Sequence, residues 1–180
     1  MLTIHTLGPK GTNCEKAADY WLTKNNVKGN VKLYPTLESA TESVKEDKDG
    51  LLLGCIVYPD LNNIVFQNLS SLELKNCFVM DTHNMVFASR YTDYCDIFHV
   101  GSHPAPQHLL SELPIADKSM KKTLFTSNSE AGVQCAQGTV DGCITTLSTA
   151  EKYHLHILHD FGPVPMGFSV HAPIFHSVSH

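Results

Sequence analysis

Three short groups of residues carry the side chains with which this 180-residue chain could grip and transform a small anion. The first is Gly8-Pro9-Lys10-Gly11-Thr12-Asn13-Cys14-Glu15. Its glycines permit a tight turn and close backbone approach to a ligand. Thr12 and Glu15 stand at the spacing at which each side chain caps the other's backbone N–H. A helix starting there points free N–H groups and the positive end of its dipole at an anion. The same residues also suit an ordinary strand-to-helix turn. The second group, Ser102-His103-Pro104, offers a hydroxyl and an imidazole. His103 either handles a carboxylate or a proton, or simply caps the turn that follows. The third, Ser127-Asn128-Ser129-Glu130, is a dense run of helix-capping types. His154-x-His156-x-x-His159 has two imidazoles on one strand face, but no cysteine or carboxylate at matching spacing completes a metal set. Neither a metal nor a cofactor is expected.

These groups need elements to hold them. Met1–Leu7 alternates as a strand, and Cys14, Ala17, Ala18 and Trp21 recur at helical spacing to about Lys24. Val31–Tyr34 is a second strand, Leu37, Ala40 and Val44 stripe a second helix, and Leu51–Val57 is a continuous apolar strand covered on both faces. Strand, helix, strand, helix, strand is the grammar of a parallel sheet, so the fold is α/β. Residues 64–81 suggest strand pieces with an antiparallel return. Further strands are expected at 84–90, 123–126, 142–146, 155–158 and 167–171. Residues 99–104 repeat the opening pattern of an apolar end, a glycine and a hydroxyl, and helices are expected after Pro106, after Ser129 and at 149–153. The stretch from about Arg90 to Thr146 looks like a second αβ unit inserted into the first. The three groups then lie at carboxyl ends of strands, where open α/β sheets bind ligands.

Composition sets bounds on function. A net charge of -5 without a basic stripe argues against nucleic acid. Arg90 is the single arginine, and it serves either substrate or the crossover between lobes. The six cysteines form no CxxC and no regular framework, so they are expected to be free thiols of a cytoplasmic protein, mostly buried. No signal peptide and no apolar run of membrane-spanning length is seen. The partners expected are a small-molecule dicarboxylate and a second copy of the chain in a homodimer, with no nucleic acid and no membrane.

The motifs, taken in order, resemble the catalytic domain of prephenate dehydratases and its relatives. Gly8-Pro9-Lys10-Gly11-Thr12-x-x-Glu15-x-Ala17-Ala18 is similar to that family's Gly-Pro-x-Gly-Thr-Phe-Ser-x-x-Ala-Ala signature. Ser102-His103-Pro104 resembles its Ser-His-Pro-Gln motif, Ser127-Asn128-Ser129 its Asn-Ser/Thr segment, and the stretch from Gly142 to Leu158 its Ala-Ile-Ala…Ala-x-x-Tyr-x-Leu segment. The resemblance implies a two-lobed fold of the type II periplasmic-binding-protein kind, with mixed, mostly parallel sheets flanked by helices and prephenate held between the lobes. Lobe 1 would comprise about 1–85 and 150–180, lobe 2 about 86–149. The regulatory ACT domain of many dehydratases has no room here, so phenylalanine feedback through it is not expected.

Two departures shape the expected reaction. Dehydratases carry a Thr-Arg-Phe motif whose threonine is regarded as the acid that helps the ring hydroxyl leave; Met166-Gly167-Phe168-Ser169 stands there in this chain. The family's Glu-Asn-Ser segment is replaced by Tyr58-Pro59-Asp60-Leu61-Asn62-Asn63. Both losses, with Ser102-His103-Pro104-Ala105-Pro106, are closer to the non-aromatising prephenate decarboxylases of bacilysin- and anticapsin-type antibiotic pathways. The resemblance thus implies a carboxy-lyase. Gly11, Thr12 and Asn13 would bind one carboxylate, and Ser102, Ser127, Asn128 and Ser129 the other carboxylate or the hydroxyl. His103 would act in binding or proton relay, with Met166 and Phe168 excluding water. A dehydratase with a displaced acid, Ser169 or Thr145, and a non-catalytic anion-binding module are the alternatives.

Overall fold

A computed structural model describes residues 1–115 and 119–175. They form two compact units, one from Met1–Thr82 and the stretch from Pro165 onward, the other from His83–Val164.

The first unit begins β1 (Leu2–Leu7), α1 (Asn13–Lys24), β2 (Gly29–Tyr34), α2 (Leu37–Lys45), β3 (Gly50–Cys55), α3 (Leu61–Gln67) and β4 (Leu72–Asp81). In α1, Cys14, Ala17, Ala18 and Leu22 are buried, one face of a 3.6-residue repeat. In α2 the same repeat buries Leu37, Ala40, Thr41 and Val44, and Thr36 caps the start through the Ser39 N–H at 3.2 Å. Residues 64–67 correct the strand piece expected there. Ile64 is buried and Leu61 and Val65 half-buried, an i, i+3, i+4 set that faces the α2 side of the sheet as a short helix.

The second unit holds β5 (Met85–Ser89), β6 (His99–Ser102), a 3₁₀ turn (Gln107–Glu112) in place of the helix expected after Pro106, and β7 (Lys121–Leu124). It continues with α4 (Asn128–Ala136), β8 (Gly142–Thr146), α5 (Leu147–Lys152) and β9 (His156–Gly162). The strand order is β7-β6-β8-β5-β9, with β6 parallel to β7 and β8, and β5 antiparallel to β8 and β9. Because β9 pairs with β5, residues 150–164 belong to this unit and not to the first lobe. Gly132 lets α4 settle here: a Cβ on it would lie 2.5 Å from Thr149 Cγ2 and 2.9 Å from Thr145 Oγ1. Arg90 lies against Gly138 at the C-terminal end of α4, within this unit, rather than at a crossover between lobes.

The chain then returns to the first unit as β10 (Pro165–Pro173). The first sheet has the order β2-β1-β3-β10-β4, with β10 antiparallel to both neighbours. Ile4, Leu53, Cys55, Phe168 and Val170 pack against α1, while Leu52 packs with Leu37, Ala40, Val44 and Ile64 on the other face. Two mixed sheets flanked by helices bear out the expected α/β class.

Candidate active site

In the first unit, β1 delivers the chain to the loop before α1. Gly11 sits at φ 87°, a region that favours glycine. Thr12 is the N-cap: its Oγ1 accepts from the Glu15 N–H at 3.5 Å and donates to the Leu7 carbonyl at 3.5 Å. Glu15 reaches back to the Gly11 N–H, so the loop's own carboxylate already occupies one amide that the sequence offers to a ligand. Lys16 is also committed, with Nζ 3.0 Å from both the Asp81 and Thr82 carbonyls. Thr12 and Asn13 are half-buried, and Lys10 is exposed on the loop.

Two strands along the same edge, the start of β10 runs beside the end of β3, where Ile56 N–H donates to the Gly167 carbonyl at 3.1 Å. Met166 is half-buried, and the Cys55 thiol donates to its sulfur at 3.1 Å. Burial, together with nearby Cys55, pushes the Cys14 thiol up to about 12 despite its contact with Thr6. Burial also raises Cys55. Phe168 corrects an expectation. It is 1% exposed and stacked on Phe78 at 5.5 Å, so it serves the core and lines no open surface. Ser169 points to the opposite face of the sheet from Met166, where its Oγ meets His171 Nε2 at 3.0 Å.

In the second unit, the parallel strands β6, β7 and β8 end on one edge. Ser102 is 2% exposed, and its hydroxyl donates to the His103 carbonyl at 2.8 Å, which clips the turn and leaves no free hydroxyl proton for a ligand. His103 is half-buried, and burial holds its pKa below the usual value. Its Nδ1 accepts from the Ala105 N–H at 3.2 Å, which assigns the proton of the neutral ring to Nε2. The ring therefore caps a turn and also lines an open depression of about 510 Å³ with Pro104, Leu124, Phe125, Thr126 and Glu130.

Ser127 caps α4 through the Glu130 N–H at 3.0 Å, and Ser129 Oγ accepts from Thr149 Oγ1 at 3.5 Å. Asn128 differs from its neighbours. Its amide donates to the Met85 sulfur at a loose 4.0 Å, and its Oδ1 is buried without a hydrogen-bond partner. Thr145 is fully buried and donates to the Asn128 carbonyl at 2.7 Å. Glu130, which lines the same depression as His103, is read from the sequence only as a helix-capping residue. Its signal was present, because Ser127-x-x-Glu130 follows a strand that runs parallel to the one ending in Ser102.

Among the described residues, no three His, Cys, Asp or Glu side chains are grouped to hold a metal, and no helix is long and apolar enough to cross a membrane. No family model matches the chain. The chain is 29% identical over 179 residues to a prephenate decarboxylase of Bacillus subtilis, covering 94% of this chain and 86% of that protein. Its fold matches a prephenate dehydratase from Arthrobacter aurescens, solved in complex with L-Phe, with a TM-score of 0.74 at 15% identity. That match covers 99% of this chain and 63% of the dehydratase, so the chain spans less than two thirds of that protein. A periplasmic substrate-binding protein of an ABC transporter from Coxiella burnetii matches with a TM-score of 0.56 at 15% identity, over 94% of this chain and 84% of that one. The similarity read from the motifs is borne out, as is the periplasmic-binding-protein-like fold.

Proposed function

We propose that the chain removes carbon dioxide from prephenate without aromatising the ring, giving a dihydro-4-hydroxyphenylpyruvate for a specialised amino acid or antibiotic pathway. Prephenate carries a ring carboxylate, an α-keto carboxylate and a ring hydroxyl. Aromatisation expels the ring carboxylate and the hydroxyl together, and the hydroxyl needs a proton to leave. The observation that carries the proposal is the sulfur environment of Met166. A thioether has no proton to give. The Cys55 thiol is spent on Met166, and Cys14 at about 12 is too weak an acid at neutral pH. Of the two hydroxyls that could act as a displaced acid, Thr145 is spent on the Asn128 carbonyl and Ser169 lies beside His171 on the face of its sheet opposite Met166. None of these groups protonates the hydroxyl, so it stays. The bond to the ring carboxylate breaks, its electron pair moves into the diene, and a ring carbon takes up one proton as carbon dioxide departs.

The N–H groups at the start of α1 with Gly11, Thr12 and Asn13 are assigned to one carboxylate. Ser127, Asn128, Ser129 and His103 are assigned to the other or to the hydroxyl. Ser102 shapes the turn that carries His103. The six cysteines are free thiols, two of them exposed, which supports a cytoplasmic setting. A homodimer belongs to the same proposal and is checked by light scattering at assay concentration.

Mixing the purified chain with prephenate and following product mass and ultraviolet absorption tests the reaction. Carbon dioxide with a hydroxyl-retaining product is expected. Phenylpyruvate would replace the proposal with a dehydratase, and unchanged prephenate with an anion-binding module.

A further inference from the structure

The two faces of β10 lead to different places. Phe168 and Val170 enter the core under α1, while Ser169 and His171 point to the other face. There α2 and α3 roof part of the sheet, but the floor between α3 and the edge strand β4 stays open. The result is a groove of about 410 Å³, within the size range of small-molecule pockets. Leu61, Val65 and Phe66 form one wall, Leu74 and Cys77 the other, and Ile56 closes an end. Phe66, Leu74 and Ile56 are 72%, 56% and 57% exposed, a concentration of large apolar side chains that calls for an occupant.

The floor is polar and specific. Ser169 and His171 are 6% and 5% exposed, and Ser169 Oγ to His171 Nε2 at 3.0 Å is the one side-chain hydrogen bond either makes among the described residues. Either tautomer leaves the pair unfilled. If Nε2–H donates, the serine hydroxyl proton and the Nδ1 lone pair are free. If the serine donates, Nδ1–H and an Oγ lone pair are free. Burial lowers the His171 pKa, which keeps the ring neutral, and a charged ligand would lose its hydration for no ionic partner.

We propose that this groove is a second binding site, for a neutral ring bearing one hydroxyl, such as a phenol or cyclic alcohol. The ring lies between Phe66 and Leu74, and its hydroxyl both donates to and accepts from the Ser169–His171 pair. Since β10 also carries Met166 three residues from Ser169, occupancy bears on the strand that shapes the sulfur wall of the candidate active site.

Calorimetry of the full chain with 4-methylphenol, and with toluene as the match lacking the hydroxyl, tests this without prephenate, so the result is independent of the reaction proposed above. Saturable one-to-one binding of 4-methylphenol, at least tenfold tighter than toluene, is expected. Ser169→Ala should weaken it at least tenfold. Leu74→Trp, at an exposed edge-strand position that tolerates the change, should fill the groove and abolish it. Equal binding of the two probes, no saturation, or binding unaffected by Leu74→Trp overturns the proposal.

Discussion

The chain uses nearly the same tetrapeptide twice to start a helix, Thr12-Asn13-Cys14-Glu15 before α1 and Ser127-Asn128-Ser129-Glu130 before α4. In both, the first hydroxyl accepts from the N–H of the glutamate three residues on. The two glutamates then part company. Glu15 folds back onto the Gly11 N–H, whereas Glu130 accepts from Gln134 Nε2 at 2.7 Å and faces the depression that holds His103. The residue one helical turn on separates them. Position i+4 from Glu15 is Asp19, whose carboxyl is raised first by burial and then by the charge of Glu15, so the two repel. Position i+4 from Glu130 is a glutamine that attracts it. Gly11, at positive φ, also presents an amide for Glu15 to take. One sequence signature thus yields a helix start whose glutamate turns back on its own loop and one whose glutamate faces an open depression. A capping motif alone does not decide which of them meets a ligand.

The sharpest way to break this comparison is at the two asparagines. Asn128 has an unsatisfied carboxamide oxygen, whereas Asn13 has interactions of its own. An amide oxygen can only accept, so its partner in prephenate is the ring hydroxyl, a neutral hydrogen bond worth about 0.5–1.5 kcal/mol. Asn128→Ala should therefore lower kcat/KM for prephenate about 2- to 13-fold with an unchanged melting temperature, and Asn13→Ala should cost less. Equal losses would erase the distinction between the loops.

Next come the caps. Thr12→Val and Ser127→Ala should each cost about 1 kcal/mol of stability in urea unfolding. Thr12→Val should also cut turnover more than twofold; turnover within twofold of the unmodified chain removes this loop from the site. A smaller effect is expected at the glutamates. Glu130→Gln removes a like charge facing a dianion, worth about 1 kcal/mol at contact distance in water, so KM should fall by up to about fivefold at constant stability. Glu15→Gln should leave KM alone and lower stability by a few tenths of a kcal/mol. Titration gives the least effect. Burial depresses the folded-state pKa of His103. The unfolded chain therefore takes up its proton first, and the contribution of this group is intact above the unfolded value of about 6.5 and lost as pH falls through the folded one. Activity followed from pH 8 to 5 should show an acid limb that His103→Gln abolishes.

Much of this was legible in the chain. The caps at Thr12 and Ser127 and the apolar stripes of α1 and α2 follow local rules, and local rules survive folding. What escaped depends on pairing between distant residues. β9 joins the second unit because it hydrogen-bonds β5, about 70 residues earlier in the chain, and no local pattern around residue 155 announces that partner. Residues 64–67 misled because a short apolar run fits strand and helix equally well. Glu130 reads only as a cap because its nearness to His103 is set by β6 and β7 lying parallel, not by the 27 positions separating them. Phe168 and Ser102 are apt residue types for a site, yet sheet alternation and a local hydroxyl clip turn them inward.

The placement of β10 has a consequence for how the chain comes to be folded at all. The second unit is continuous, so its last residue, Val164, is made before β10 begins. The first unit begins earlier but lacks an interior strand until β10 arrives, and the Cys55–Met166 contact spans 111 positions. Until β10 docks, β3 and β4 each keep an unpaired edge that it fits between. Loop closure over that span is part of the entropic cost of completing the first sheet. The sulfur wall around Met166 is assembled in the same event that completes the first sheet.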